Sequence, residues 1–454
     1  MRPTVTALLA VTCLVVAGCS GPGDGDEPGG ADTATGATDA AASGEAEIPD
    51  GPAGDHVRWV LDLLAEDGGD PADLTEDEVA ERVSPAVAEQ LTVEVLTPAL
   101  AQVRAGGPYT VGTVVPQGST GLQVRLEPAT GAPLQLVVAV DGDGLLSTLL
   151  FTPVPVVPDV ASYAELEALL AEDADHVQLL VADVVDGRCE PTYATEDPVA
   201  APSGSVFKLV VLNALVEAVA DGDLAWDDEL TVTDEVRSLP SGELQDRPDG
   251  TVVTVEEAAL GMISISDNTA TDLLMAALGD RVDAWATEHG LDDLVPVPTT
   301  RQLFRLGWGA PEQRAQWSAA DAEERRAILD ALPGLEGLDP ATVTTPGWTD
   351  GVEYFLTPAQ ACGLHVALHE AGSTPAGAPL ARILTTNPGL EPPAGADAVA
   401  FKGGSSPGVV ALTFLVSSGD TTRYLGVQVW DDEVVDLGVR VPGPAQAGLD
   451  LLLE

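Results

Sequence analysis

The sequence predicts two folded domains of different class: a small α+β domain over residues 53–155, and a larger domain over residues 160–454 with one sheet flanked by helices. In the first domain, apolar residues at helical spacing give way to apolar residues at alternating positions separated by glycine-rich turns. In the second, early strands, a helical middle and late strands follow one another. A proline-rich hinge at residues 153–158 lies between the two domains.

The small domain begins with two helical patterns and ends with four strand patterns. The first helix covers residues 56–66, and the second follows a capping box at Thr75 to Glu78 and continues to Val87. Their apolar positions are Val57, Val60, Leu61, Leu64, Val79, Val83 and Val87. The strands cover residues 109–115, 121–126, 133–140 and 145–151. Two or three helices packed on a four-stranded antiparallel sheet are therefore expected, with no polar constellation typical of a catalytic site.

The large domain begins near Ser162 with a short helix and a pair of strands. The helix covers residues 166–170 and the strands 177–183 and 191–194. Ser205 then opens an apolar helix over residues 209–219. Further helices are expected at residues 255–263, 269–278, 320–332 and 358–369. Two late strands, at residues 409–417 and 424–430, and a terminal helix at 445–453 complete the domain.

The first residues have the pattern of a bacterial lipoprotein signal. A basic start precedes an apolar run over residues 4–17, which is too short to span a bilayer comfortably, and small residues then lead to Cys19. We expect residues 1–19 to be a signal peptide and Cys19 to carry the lipid. The alternative is an ordinary secretory signal cleaved near Ala17. Residues 20–52 predict a flexible acidic spacer, so the domains would be held outside the cell, on the outer face of the cytoplasmic membrane.

The net charge of −54 excludes binding to nucleic acid or to an anionic lipid surface. Outside the cytoplasm Cys189 and Cys362 could form a disulfide, although two separate buried thiols are equally compatible with the sequence. His365 and His369 lie one helical turn apart, which is a poor basis for a metal site, and we expect surface histidines. Neither a metal nor an organic cofactor is implied.

The two lysines of the chain, Lys208 and Lys402, both lie in short motifs, and the other 17 basic residues are arginines. Arginine carries charge equally well but cannot lose a proton near neutral pH. These two positions therefore indicate a need for an amine that can act as a base or relay. Ser205, one turn before Lys208 at a helix start, is the natural nucleophile, because a serine hydroxyl needs a nearby base. Lys402 is available as the neighbouring cation that lowers the pKa of Lys208.

Two further motifs accompany Ser205-x-x-Lys208: Ser266-Asp267-Asn268 and Lys402-Gly403-Gly404, the latter expected just before a strand. With these motifs, residues 165–454 resemble the serine penicillin-recognising enzymes, the class A β-lactamases and penicillin-binding proteins. The resemblance implies a class A β-lactamase-like α/β domain with a helical subdomain.

The resemblance also implies roles for individual residues. Ser205 would be acylated, Lys208 would accept its proton and Ser266 would relay a proton to the leaving group. Asn268 would hold a substrate amide and Lys208, and Lys402 would bind a substrate carboxylate. Asp267 would be mainly structural. The backbone N–H groups of Ser205 and Ser405 would form the oxyanion hole, and Gly404 belongs to the same substrate-binding motif.

Two departures from the family pattern weaken the case for a β-lactamase. Gly403 replaces the threonine or serine whose hydroxyl helps to hold a substrate carboxylate. The Glu-x-x-Leu-Asn motif that activates the deacylating water is also absent from the interval between Asn268 and Lys402. The interval is longer than is usual for the family, and its extra segment contains Glu312, Glu323 and Glu324, which we interpret as surface charges of helices. Acylation without efficient deacylation is the expected behaviour with penicillins.

The chain is also similar to a narrower group, the Orf12-like β-lactamase-related lipoproteins of actinobacteria. Residues 237–242 and 401–408 carry this closer similarity. It implies an isomerase-like small domain, weak esterase activity and little β-lactamase activity.

Three hypotheses follow for the function. The first is a lipid-anchored serine hydrolase acting on a small molecule or peptide that carries an ester, amide or β-lactam. The second is a D,D-peptidase or true β-lactamase, which Gly403 disfavours. The third is a non-catalytic envelope lipoprotein that binds a ligand or partner, which the intact Ser205, Lys208, Ser266 and Lys402 disfavour.

Overall fold

The computed structural model describes residues 48–454 except 86, 89, 118–119, 130–132, 240 and 436. The predicted signal peptide, the predicted lipidation site Cys19 and most of the predicted acidic spacer lie outside the described residues. Within the described part, every helix is too short or too polar to cross a lipid bilayer. The described residues form two compact units, and the division between them falls between Val156 and Val157.

The small unit is a four-stranded antiparallel sheet with helices packed on one face. The helices are α1 (Pro52–Leu64), α2 (Glu76–Ala80) and α3 (Val93–Ala105), and the strands are β1 (Tyr109–Gln117), β2 (Gly121–Pro128), β3 (Leu134–Val140) and β4 (Leu146–Pro153). The strands pair in sequence order, as expected for hairpins joined by short turns. Alternate residues of β2 and β3, such as Val124 and Val138, are buried against the helices.

The second helix of the small unit is much shorter than its apolar spacing predicts. Thr75 does cap it, accepting a hydrogen bond from Glu78 N at 3.3 Å, but the helix ends at Ala80. Beyond it, Val83 forms a parallel bridge with Leu146. Ser84 N donates to Leu146 O at 2.8 Å and Leu146 N donates to Arg82 O at 2.7 Å. Pairing with the edge strand β4 thus replaces helical hydrogen bonds, because both satisfy the same backbone groups.

The larger unit combines one five-stranded sheet with helices on both faces. Its strands are β5 (His176–Val185), β6 (Arg188–Ala194), β7 (Ala201–Pro202), β8 (Glu229–Thr231), β9 (Val252–Thr254), β10 (Phe355–Leu356), β11 (Ala398–Ser406), β12 (Val409–Ser418) and β13 (Thr421–Trp430). Its helices are α4 (Tyr163–Leu170), α5 (Lys208–Asp221), α6 (Val255–Ser264), α7 (Asn268–Leu278), α8 (Arg281–Glu288), α9 (Thr300–Phe304), α10 (Pro311–Trp317), α11 (Ala322–Asp330), α12 (Pro358–Ala371), α13 (Leu380–Thr385), α14 (Leu437–Arg440) and α15 (Pro442–Asp450).

The five strands are antiparallel in the order β11-β12-β13-β5-β6, so the late strands extend the early pair. Helices α4 and α15 cover one face of the sheet, and α12 covers the other, beyond which α5 is packed. The central strand β13 is buried on both faces, with Tyr424 facing α12 and Leu425 facing α4 and α15. Two hydrophobic layers therefore enclose the sheet.

The lysine motif lies inside a strand, not before one as we expected. β11 runs from Ala398 to Ser406 and pairs residue by residue with β12, with Lys402 opposite Thr413. Glycine pairs are depleted in strands and more typical of turns, which is why the sequence pattern concealed this strand. β11 is an edge strand, and its residues Gly403, Gly404 and Ser405 line a cavity of the larger unit.

His365 is fully buried, so the prediction of a surface histidine is wrong for this residue, although His369 is exposed. His365 projects from α12 toward the sheet, where its Nε2 lies 2.9 Å from Thr413 Oγ1. Burial lowers the pKa of His365 to about 3, so the imidazole is neutral.

Cys189 and Cys362 form a disulfide that joins β6 to α12, with their Cα atoms 6.5 Å apart. This resolves the alternative of two separate thiols, a choice the sequence could not make because it contains no distance between residues 173 positions apart. The bond ties the far edge of the sheet to the helix beneath it.

Candidate active site

Ser205 lies in a tight turn that leads directly into helix α5. Residues Gly204–Phe207 form a single 3₁₀ turn, and the α-helix begins at Lys208. Ser205 is half-buried, whereas Lys208 is fully buried one turn later. Ser205 therefore lies at the start of the helix, as expected. The first turn is a 3₁₀ turn, which is narrower than an α-helical turn and is common at helix starts.

Lys208 Nζ makes three short contacts with the Ser266 motif. It lies 2.5 Å from Ser266 O, 2.6 Å from Asn268 Oδ1 and 3.2 Å from Ser266 Oγ. None of these three contacts is with Ser205 Oγ. Burial lowers the pKa of Lys208 well below that of a free lysine, and the nearby charge of Lys402 lowers it further.

Ser266 adopts a backbone conformation that is unusual for a serine. Its φ of 58° lies in the left-handed region, in the tight connection between α6 and α7. Asp267 fixes this connection: its side chain accepts from Ala270 N at 2.8 Å, Glu243 N at 2.7 Å and Leu244 N at 2.9 Å. Such strain is typical of functional sites, because surrounding contacts must maintain it.

Lys402 approaches the Ser266 hydroxyl from the opposite side. Its Nζ lies 3.0 Å from Ser266 Oγ and 2.7 Å from Gly403 O. Burial lowers the pKa of Lys402 to about 7, so this amine changes protonation near neutrality. Thr413 donates its hydroxyl proton to Lys402 O at 2.6 Å, and His365 supports Thr413 from behind. The Ser266 hydroxyl therefore bridges the only two lysines of the chain.

Two glycines allow β11 to approach the Ser205 turn closely. A Cβ atom on Gly404 would lie 2.0 Å from Ser203 O and 2.6 Å from Ser205 N. A Cβ atom on Gly204, whose φ is 50°, would lie 2.6 Å from Ser405 N. Only glycine fits at these positions, and the contact brings the backbone nitrogens of Ser205 and Ser405 to the same part of the site.

Glu353 is a site residue that our sequence reasoning missed. Its buried carboxyl accepts hydrogen bonds from Tyr354 N at 2.8 Å, from Gly204 N and from the Ser406 hydroxyl. Burial raises the pKa of Glu353, and these hydrogen bonds oppose that rise. Glu353 thus connects the Ser205 turn to β11. An acid within the otherwise apolar residues 352–356 was the available signal.

Asp272 is a second buried acid that we did not single out. It accepts from Thr300 N at 2.7 Å, Thr300 Oγ1 at 2.8 Å and Arg301 N at 2.9 Å. Burial raises the pKa of Asp272 to about 6. These bonds fix the start of α9 beside α7. A charged residue on the buried helix α7 could have indicated it from sequence.

A cavity of about 530 Å³ opens above Ser205. The polar side of its lining contains Ser205, Ser266, Asn268, Gly404 and Ser405. The opposite side comes from α9 and the π-helical turn Arg305–Gly309, and includes Leu303, Phe304 and Trp308. Glu312, Glu323 and Glu324 are exposed, as predicted for surface charges. Within the described lining, Glu353 is the acidic residue.

Comparison with known proteins supports this architecture. Residues 161–332 match the family described as "Beta-lactamase enzyme family", and residues 48–146 match the one described as "ORF 12 gene product N-terminal". No curated protein matches the sequence. The family match and the sheet topology confirm the predicted fold: a class A β-lactamase-like α/β domain, preceded by an α+β domain.

Several solved structures are similar to this chain over about two thirds of its length. A β-lactamase from Sphaerobacter thermophilus DSM 20745 is 20% identical, with a TM-score of 0.44 over 64% of this chain and 98% of that one. A β-lactamase from Chitinophaga pinensis DSM 2588 is 20% identical, with a TM-score of 0.44 over 63% and 98%. The protein PBP-A is 17% identical, with a TM-score of 0.43 over 65% and 98%.

Proposed function

We propose that this protein is a serine hydrolase that acts on ester or amide substrates through an acyl-enzyme at Ser205, with little or no turnover of β-lactams. The observation that carries the proposal is the contact of Lys208 and Lys402 with one serine hydroxyl, that of Ser266, at 3.2 and 3.0 Å. Two buried amines with lowered pKa values, next to a half-buried serine, provide the base that a serine nucleophile requires.

The first half-reaction uses Lys208 in its neutral form. Its two N–H bonds can reach Ser266 O and Asn268 Oδ1, which leaves the nitrogen lone pair free. Ser205 Oγ attacks the substrate carbonyl carbon, and its proton passes to Lys208 Nζ. The backbone N–H groups of Ser205 and Ser405 stabilise the resulting oxyanion. The existing contacts of Lys208 do not exclude this step, since catalytic hydrogen bonds often form only with bound substrate.

The remaining steps return every group to its starting state. As the bond to the leaving group breaks, Ser266 donates its hydroxyl proton to the departing alcohol or amine, and the Lys208 ammonium reprotonates Ser266. Water then attacks the acyl-serine, its proton passes to Lys208, and Ser205 regains a proton as the acid departs. Lys402 holds the Ser266 hydroxyl in place for this relay.

Two features support weak activity toward β-lactams. Gly403 supplies no hydroxyl for a substrate carboxylate. Helix α9 and the turn after it present Leu303, Phe304 and Trp308 to the cavity, and no carboxylate from this segment joins them in the described lining. A penicilloyl ester would then persist, because its hydrolysis requires an activated water.

The match of residues 48–146 supports the Orf12-like group in particular, for which weak ester hydrolysis is expected. We also propose the lipid anchor at Cys19. Labelling of cells with an alkyne-tagged palmitate should mark the wild-type protein and not the Cys19→Ala variant. Equal labelling of both would argue against this anchor.

Intact mass spectrometry and a fluorophosphonate probe test the catalytic proposal. The mature chain should react with the probe, and Ser205→Ala should not. Penicillin should give a persistent adduct on Ser205 or no adduct at all. Absence of probe labelling would contradict the hydrolase and favour a non-catalytic binding protein, whereas rapid multiple turnover of penicillin would indicate a true β-lactamase.

A further inference from the structure

The cavity is apolar on the side that faces the catalytic groups. Leu303, Phe304 and Trp308 line it, joined by Val343 from the following segment. The Phe304 and Trp308 ring centroids lie 6.1 Å apart, and Trp308 Nε1 donates to Thr345 O at 3.1 Å. This hydrogen bond fixes the indole and leaves its rings available to a ligand. The apolar side of the cavity can therefore pack against an apolar group of several carbons.

Positive charge is scarce on the cavity surface. Among its described lining residues there is neither a lysine nor an arginine, and the carboxyl group there is that of Glu353. The two lysine amines lie behind the lining, where they bond to Ser266 and to backbone or amide oxygens. Burial also lowers the pKa of Lys402 to about 7, so a fraction of this amine is uncharged at neutral pH.

The ring of Phe401 lies where a side chain at residue 403 would begin, so it blocks the serine or threonine hydroxyl that the family has at this position. A Cβ atom on Gly403 would lie 2.7 Å from Phe401 Cζ and 3.5 Å from Leu412 Cδ2. Phe401 is held in turn by Phe414, at a ring-centroid distance of 4.9 Å. Serine or threonine at residue 403 would therefore require Phe401 to move, so the glycine is part of a packed arrangement that leaves no room for a carboxylate-binding hydroxyl.

We infer that the site selects uncharged esters with an apolar acyl group of several carbons and discriminates against substrates that carry a carboxylate. The inference rests on the proposed hydrolase function and specifies its substrate class. A carboxylate in this cavity would lose its hydration without gaining a cationic or hydroxyl partner at residue 403, whereas an alkyl chain would gain contact with Phe304 and Trp308.

Hydrolysis of two esters of equal length tests the inference: p-nitrophenyl hexanoate and mono-p-nitrophenyl adipate. After subtraction of the rate measured with Ser205→Ala, kcat/KM should be at least about 30-fold higher for the hexanoate, since an uncompensated charge is strongly disfavoured. Equal values for the two esters would overturn the inference but leave the hydrolase intact. Failure of Ser205-dependent hydrolysis for both would overturn the proposed function itself.

Two tryptophans, Trp308 in the apolar side of the cavity and Trp226 outside the cavity, provide a matched pair of variants. Trp308→Ala should lower kcat/KM about 10-fold for the hexanoate and much less for p-nitrophenyl acetate, whose acyl group is too short to reach the indole. Trp226 is also half-buried and also donates its indole N–H to a backbone carbonyl, that of Ala376, at 2.7 Å. It does not line the cavity. Trp226→Ala should leave the ratio of the two rates unchanged, and an equal fall of this ratio in both variants would contradict the inference.

Discussion

The two units of this chain differ most in the polar groups that they bury. Among the described residues, the polar side chains that the small unit buries are those of His56 and Ser84, and the rest of its core is apolar. The larger unit buries the two lysines and four acids, namely Asp267, Asp272, Glu353 and Asp431. Burying charge costs free energy that a purely structural core avoids. Glu353 lines the cavity, and the two lysines contact Ser266 in its lining; such a concentration of buried ionisable groups is typical of functional sites.

The largest expected effect is the loss of the base. Lys208→Met should lower kcat/KM for a p-nitrophenyl ester by about 10³-fold, the range expected when a general base is removed. The fold should persist, because methionine fills a similar volume and removes a buried amine. Stopped-flow or steady-state ester hydrolysis measures the change, and circular dichroism checks the fold. A rate near that of wild type would show that Ser205 is activated by another group.

Lys402→Met should change the pH dependence of stability in the larger unit and leave that of the small unit unchanged. In the folded state the pKa of Lys402 is about 7, against 10.5 for an exposed lysine. Between these values the unfolded chain binds more protons, so stability rises with pH, and below about pH 7 the cost of burial is fully present. Removing the amine should stabilise the larger unit by up to about 5 kcal/mol at pH 6 and by much less at pH 10, at 1.36 kcal/mol per pKa unit.

Urea unfolding at several pH values, with the small unit followed separately, checks this prediction. The small unit should respond equally in both proteins, since neither lysine belongs to it. A Lys402→Met effect that is independent of pH would mean that the amine is not buried in a neutral form.

The disulfide should stabilise only the larger unit. Replacing Cys189 and Cys362 together by serine removes a cross-link between residues 173 positions apart, and should cost about 3–4 kcal/mol. Calorimetry should show a lower transition temperature for the larger unit and an unchanged transition for the small one. An unchanged thermogram would indicate that the bond does not form in solution.

The smallest of the predicted effects is the fall in kcat when β11 is displaced from the Ser205 turn. Gly404→Ala inserts a Cβ atom 2.0 Å from Ser203 O and should lower kcat about 10²-fold, the cost of losing one oxyanion donor. Gly363→Ala is the control, because its Cβ atom on α12 would meet no atom within 4 Å. This control should retain full activity. Equal activity in the two variants would exclude Ser405 N as a donor.

Apolar periodicity in the sequence predicted much of the fold, and unusual residue chemistry identified the motifs that the structure brings together. Alternating apolar residues located all four strands of the small unit, and the apolar helix after Ser205 was recognisable from composition. Lys208, Ser266, Asn268 and Lys402 were selected because their chemistry is unusual in this chain, and the structure brings them within hydrogen-bonding distance of one another. Their catalytic roles remain predictions.

Other features could not be read from the sequence, because they depend on contacts between distant segments. Pairing of Val83 with Leu146 shortened α2, and pairing with β12 made a strand of the glycine-rich Lys402 motif. Glu353 resembles any other acid of this acidic chain until the turn at Gly204 and the strand at Ser406 meet around it.

The order of residues in this chain was sufficient to establish the two fold classes and the residue types that can perform acyl transfer, because periodicity and side-chain chemistry are local properties. Only the tertiary structure decided which amines and carboxyls are buried, how far their pKa values move and that Cys189 meets Cys362. Burial and electrostatic interaction depend on the distances between groups in space, and those distances arise only when the β-sheet and helices pack together.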